Sequence, residues 1–184
     1  DMMVECQLQA IQRFDYDWIL LHPDDYIEFE PLGVRTVVHE RIPPAAVEAL
    51  PIGPATLRSL RVPDHRSAGR MPLHLEALAG IKAAHPEDLV VAGRVAGPFS
   101  CGALLYGVSA ALVLMLDEPD LFRETTEFGL ELMVQWGRAQ IEAGADAIWL
   151  GDCVSSSAFL SPSHYESFAL EPAKRLSDAL REAG

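Results

Sequence analysis

The sequence predicts an α/β fold built on a parallel sheet, and three observations carry that expectation. Apolar runs of strand length alternate with stretches whose apolar residues recur at helical spacing. Residues 141–152, IEAGADAIWLGD, join a helix end, an apolar run without alternation and an acidic loop, as in a βα unit whose strand is covered on both faces. The 184 residues are 49% hydrophobic, enough to bury one sizeable core in one domain. Strands separated by helices imply right-handed crossovers, and a doubly wound sheet and a barrel both satisfy the pattern.

Taken in order, residues 1–14 read as the middle of an amphipathic helix without a cap, and residues 17–22 as a first strand ending at Pro23-Asp24-Asp25. Residues 33–39 alternate like the edge strand of a small hairpin. The Pro-rich stretch 43–63 reads as a surface excursion with one short helix over 54–60. Residues 71–84 form a helix with Leu75, Leu78, Ala79 and Ile81 inward, and residues 89–95 a second buried strand that Gly97-Pro98 breaks. A long helix over 119–143 keeps Leu121, Phe128, Leu132, Trp136 and Ala139 on one face and stops at Gly144. Ala147–Leu150 is the third strand. Both ends read as interrupted helices, so residues 1–184 are expected to be a single partial domain, truncated at both ends.

Composition excludes several functions. With 27 Asp and Glu against 14 Lys and Arg, a net charge of -13 and no basic run, the chain is not expected to bind nucleic acid or an anionic membrane surface. The apolar run 110–116 is too short to span a bilayer. Cys6, Cys101 and Cys153 are far apart and odd in number, which suggests a reducing, cytoplasmic compartment. Gly93, Gly97 and Gly102 match no dinucleotide fingerprint, and no metal motif of Cys-x-x-Cys or His-Glu-x-x-His type occurs. His22, Cys101 and Cys153 could share one mouth, but cysteines are more commonly small buried hydrophobes, so no metal is expected.

Position singles out two residues. Asp152 follows a strand directly, where parallel α/β proteins gather their chemistry; a helix-capping or turn Asp is the competing reading. Arg94 lies inside an apolar strand, so its guanidinium must be paired, with Asp152 or Asp24, or must clamp a substrate carboxylate at the mouth.

The phrases VAGRVAGPFSCGALLYG, DEPDLF, IEAGADAIWLGD and LSPSHYESFALEP occur in the order and spacing of the uroporphyrinogen decarboxylase superfamily, which also holds corrinoid-dependent methyltransferases. The chain resembles that superfamily over most of its length. The resemblance implies a partial (β/α)8 TIM barrel with parallel strands and outer helices, of which the chain supplies roughly the first half. In the decarboxylases an Asp after the first strand gathers pyrrole N–H groups; Asp24 matches it, with Asp25 one residue away. A fixed anion beside a ring protonated at carbon stabilises that state without any cofactor. The decarboxylase Tyr falls at Leu104, with Tyr106 two places on. Gly97 and Pro98 shape that loop, and Ser155, Ser156 and Ser157 lie where a Ser contacts substrate, or else form a polar loop capping the helix begun at Ser161-Pro162.

The resemblance therefore implies cofactor-free decarboxylation of porphyrinogen acetate side chains in tetrapyrrole biosynthesis, on a small-molecule tetrapyrrole and with a homodimer as an open assembly. The alternative is a zinc-dependent methyltransferase with a corrinoid protein partner, its zinc ligands lying beyond this chain, or a non-catalytic divergent barrel. Either barrel reading expects Asp24, the Gly97-Pro98 break and Asp152 to line one common cleft, with the helices over 71–84 and 119–143 packed outside.

Overall fold

A computed structural model describes residues 2–84 and 89–184; Asp1, at the start of the first expected helix, lies outside them. Helix α1 (Met2–Phe14) leads into strand β1 (Trp18–Leu20). A hairpin of β2 (Arg35–Val37) and β3 (Ala45–Glu48) and a short helix α2 (Pro54–Ser59) precede α3 (Met71–Ala84). Then come β4 (Val90–Ala96), α4 (Pro98–Tyr106), α5 (Val108–Asp117), α6 (Pro119–Glu142) and β5 (Ala147–Gly151). Helices α7 (Pro162–Phe168) and α8 (Leu170–Arg181) close the chain.

Strands β1, β4 and β5 form one parallel sheet in that order, Leu20 opposite Ala92 and Ala96 opposite Gly151. Their carboxyl ends therefore lie at one end of the sheet, as in a partial barrel. Side chains alternate between faces. Ile19, Val91 and Val95 point to the helices and are buried. One core joins Val95 to Phe99, Phe122, Met133 and Trp136, and a second joins Ile11 of α1 and Ile81 of α3 to Ile19, Leu21 and Val91. Gly144, at a φ of 104°, takes the left-handed turn that ends α6.

The hydrogen bonding of β4 changes partner halfway. Its Ala92 carbonyl accepts from Leu21 N at 2.9 Å. Arg94, two residues on, faces the same side, where β1 has already turned away at Pro23. The side chain of Gln140 on α6 takes the missing strand's place. Its Oε1 accepts from Arg94 N at 2.9 Å and its Nε2 donates to Arg94 O at 3.0 Å. Gly93 makes room for the amide: a Cβ there would sit 2.4 Å from Gln140 Oε1.

Some elements differ from the sequence reading. Strand β3 falls inside the stretch expected to be irregular; all four of its residues are exposed, so no apolar alternation announces it. On α3 the inward residues are Met71, His74, Ala77, Leu78 and Ile81, with Ala79 exposed and Leu75 half-buried; Phe128 of α6 is also half-buried. Strand β5 is not covered on both faces. Trp149 is 50% exposed, as is Trp18, and their rings stack at 6.2 Å on the face away from the helices. No single described helix is long and apolar enough to cross a membrane; α4 and α5 pass such a test only together and meet at 114°.

The face carrying Trp18, Val90 and Trp149 is apolar and half-exposed. The 184-residue chain expressed by itself should therefore bind a hydrophobic dye and self-associate. A monodisperse species without dye binding in light scattering would contradict this.

Candidate active site at the carboxyl ends of the parallel strands

The turn after β1 separates two neighbouring acids. Asp24 folds back on its own turn, Oδ1 accepting from Tyr26 N at 2.8 Å, and is clasped by Arg70, which donates from Nη1 to Oδ2 at 2.6 Å and from Nη2 to Oδ1 at 3.2 Å. Arg70 Nε also donates to Glu30 Oε2 at 2.9 Å. The hydrogen bonds to Asp24, then those to Glu30, raise the guanidinium pKa further above its ordinary value. Only 1% of the Asp24 side chain is exposed.

Asp25 is the open one, its side chain 49% exposed. Its Oδ1 lies 3.4 Å from His22 Nε2 and 2.5 Å from Arg94 Nη2. The His22 hydrogen bond, then the Arg94 charge, hold its carboxyl below the usual range against the opposing effect of burial. Arg94 is thus paired, but with Asp25 and the buried Glu28 rather than with Asp24 or Asp152. Its Nη1 stands 3.7 Å from Glu28 Oε1, too long for a direct hydrogen bond. Burial pushes the Glu28 carboxyl up to about 7 even though Arg94 opposes the shift. Behind Arg94, His74 of α3 meets Gln140 Oε1 at 3.2 Å, and burial pushes its pKa down to about 4.

Asp152 does different work. Its Oδ1 accepts from Ser100 N at 3.2 Å and from Ser100 Oγ at 2.6 Å, so it caps α4 across the sheet. Gly97 permits the approach, because a Cβ there would lie 2.1 Å from Asp152 Cγ, and Pro98 occupies the first turn of α4, where no amide donor is needed. Ser155 Oγ donates to Asp152 O at 2.9 Å. Ser156 is exposed and accepts through its carbonyl from Phe159 and Leu160. The cap of α7 is Ser161, which accepts from His164 N, so the serines at 155–157 do not cap it. Tyr106 lies in the core at the end of α4, and its buried hydroxyl has no hydrogen-bond partner among the described residues.

The expected common cleft is therefore divided. A small cavity touches Asp24, Glu28, His74 and Arg94, whereas Asp152, Gly97 and Pro98 do not line it. The two acids sit at the same end of the sheet but on separate turns, because each is committed to its own partner. Arg94 spans the distance between them: a Cβ on Gly151 would lie 3.5 Å from its Nε. Among the described residues there is no group of three or more His, Cys, Asp or Glu that could hold a metal ion. Cys101 is buried, which pushes its thiol pKa well up, and Cys153 is exposed.

Glu28, Arg70, His74, Ser100 and Gln140 escaped the sequence reading. Glu28 had a visible cue, an acid between the apolar Ile27 and Phe29 and within reach of a strand-interior arginine. Gln140 and Ser100 had none, since their roles depend on contacts 46 and 52 residues away.

A model of the family described as uroporphyrinogen decarboxylase (URO-D) matches residues 1–184. The chain belongs to the URO-D family. It is 28% identical over 116 residues to the methylcobamide:CoM methyltransferase MtaA of Methanosarcina barkeri, covering 62% of this chain and 34% of that protein. It is 26% identical over 186 residues to a uroporphyrinogen decarboxylase of Wolbachia sp. subsp. Drosophila simulans (strain wRi), covering 99% of this chain and 52% of that one. A solved methyltransferase from Methanosarcina mazei superposes with a TM-score of 0.88 at 22% identity, over 97% of this chain and 53% of that structure. The URO-D chain thus spans about half or less of the relatives it matches, and it shares with the solved methyltransferase the barrel fold.

Two outcomes follow from this geometry. Asp24→Ala would strip a buried partner from Arg70 and from Tyr26 N, lowering the unfolding free energy by about 2 kcal/mol in urea titrations; an unchanged midpoint would deny the clasp its weight. The second concerns pH. Glu28, raised from 4.5 to about 7, stabilises the fold below about 4.5 and loses that contribution as pH rises through 7. His74, lowered from 6.5 to about 4, contributes fully above 6.5 and loses that stability as pH falls through 4. The slopes cancel between 4.5 and 6.5. Glu28→Gln should expose the histidine alone, its stability rising across that window by on the order of 2 kcal/mol, and a flat profile in the variant would refute the pairing.

Proposed function

We propose that the complete protein transfers a methyl group, in the manner of the methylcobamide:CoM methyltransferases it resembles. The observation that carries this reading is the engagement of Asp24. A carboxylate meant to gather the N–H groups of a cationic pyrrole ring must be free to face it. Asp24 is sealed and neutralised by Arg70. Leu104 in place of the decarboxylase Tyr and a net charge of -13 point the same way, since an acidic chain repels a substrate bearing many carboxylates.

On this reading a bound methylcobamide supplies the methyl group, and the residues of this chain bind and orient. The Gln140 amide fixes the backbone of Arg94, which carries its guanidinium over Gly151 at the strand ends. There it can receive an acidic group of the thiol substrate, with Asp25 giving way. Asp152 keeps α4 and its preceding turn in place beneath that face.

A second reading has its own support. Asp25 is half-exposed and held ionised by His22 and Arg94, so it could serve a decarboxylase as the anion that Asp24 cannot be. The full-length protein should be incubated with methylcobamide and CoM in one assay, and with uroporphyrinogen in another. Methyl-thioether formation without carbon dioxide release is expected, and the reverse would assign the protein to the decarboxylases. Arg94→Met should lower kcat/KM for the thiol by on the order of 10²-fold.

A further inference from the structure

We propose that Glu28, His74 and Arg94 line a binding site for one water molecule beneath the carboxyl ends of β1 and β4. Four buried side-chain polar atoms lack a hydrogen-bond partner among the described residues; the Tyr106 hydroxyl lies elsewhere in the core, and the other three are Glu28 Oε1, His74 Nδ1 and Arg94 Nη1. They come from three distant parts of the chain, yet all three residues line one cavity, with Leu21, Ile27 and Trp136 as its apolar wall. Each is at least nine-tenths buried. The cavity volume is about 10 Å³, room for one water and no more. The 3.7 Å between Arg94 Nη1 and Glu28 Oε1 is too long for a direct bond but suits two atoms that share a bridging water.

The hydrogen-bond directions can be deduced. Gln140 Nε2 donates to the carbonyls of Arg94 and Trp136, and its Oε1 accepts from Arg94 N, so the amide has one orientation. The His74 nitrogen that meets this Oε1 must therefore be the donor, Nε2–H. That leaves Nδ1 bare, an acceptor needing a donor. Arg94 Nη1 can only donate. With Glu28 ionised, a water accepting from Arg94 and donating to His74 Nδ1 and Glu28 Oε1 satisfies all three. With Glu28 protonated, the same water accepts from Glu28 and Arg94 and still donates to His74. One rotating molecule serves both states, while the charges around it, Asp24 with Arg70 on one side and His22 with Asp25 on the other, keep their own partners. A metal cation suits the site poorly, because a fixed guanidinium forms one wall.

High-resolution crystallography of the full-length protein tests the site directly. The expected result is one peak within hydrogen-bonding distance of Glu28 Oε1, His74 Nδ1 and Arg94 Nη1; an empty cavity, or a peak that misses any of the three, overturns the proposal. Nitrogen-15 resonance of the His74 ring at neutral pH gives a second readout. A proton on Nε2 and a hydrogen-bonded bare Nδ1 are expected, and a proton on Nδ1 would overturn the assignment. Glu28→Gln keeps a carbonyl oxygen and should keep the peak, whereas a peak unmoved in Glu28→Leu would show that the carboxylate does not hold the water. Neither the site nor its tests depend on which reaction the barrel performs.

Discussion

The amide of Gln140 is the constraint on which the carboxyl end of the parallel sheet depends. Strand β1 leaves the sheet early because its turn must present Asp24 and Asp25, and its departure strands one N–H and one C=O of β4 in the interior. Unpaired backbone groups of that kind cost more than most side-chain interactions return. A glutamine from an outer helix is long enough to reach them, but only past a residue without a side chain, which is why Gly93 stands before Arg94. The same amide oxygen then dictates the tautomer of His74. One side chain thus ties a helix, a strand end and a buried histidine into one rigid unit.

Rigidity there matters because of the charges that it carries. Arg94 would be expensive to bury in an apolar strand on its own. Two acids from one turn share its charge, Asp25 at the surface and Glu28 below. The neighbouring Asp24 is held instead by Arg70, a residue on the approach to α3. Adjacent positions in sequence therefore sit in opposite surroundings, Asp24 sealed against Arg70 and Asp25 half-exposed beside His22 and Arg94.

How much of this was legible in the sequence depended on the range of the forces involved. The parallel sheet, the long helix α6 and the stop at Gly144 follow from apolar periodicity and one backbone preference, both local, and they were readable. Arg94 was legible as a problem, since an arginine in a buried strand demands a partner, but the partner was not: the sequence offered Asp24 or Asp152, and the packing of the β1 turn brought Asp25 and Glu28 to it instead. Asp152 was visible as either a site residue or a cap, and the hydroxyl of Ser100 shows it capping a helix of the preceding unit. Strand β3 was illegible because an exposed ribbon has no buried face to impose alternation.

The reach of Asp152 to Ser100 joins residues 52 positions apart, between the helix that follows β4 and the loop that follows β5. Each repeat of a β/α architecture is often pictured as a module that could fold, be duplicated or be exchanged as a piece. Here the second module lacks the group that completes the start of its helix until the strand of the third has been synthesised and docked. The chain is written as a series of repeats, but its contacts tie them in overlapping pairs, and a cut placed between those two strands would remove the carboxylate that completes the start of α4.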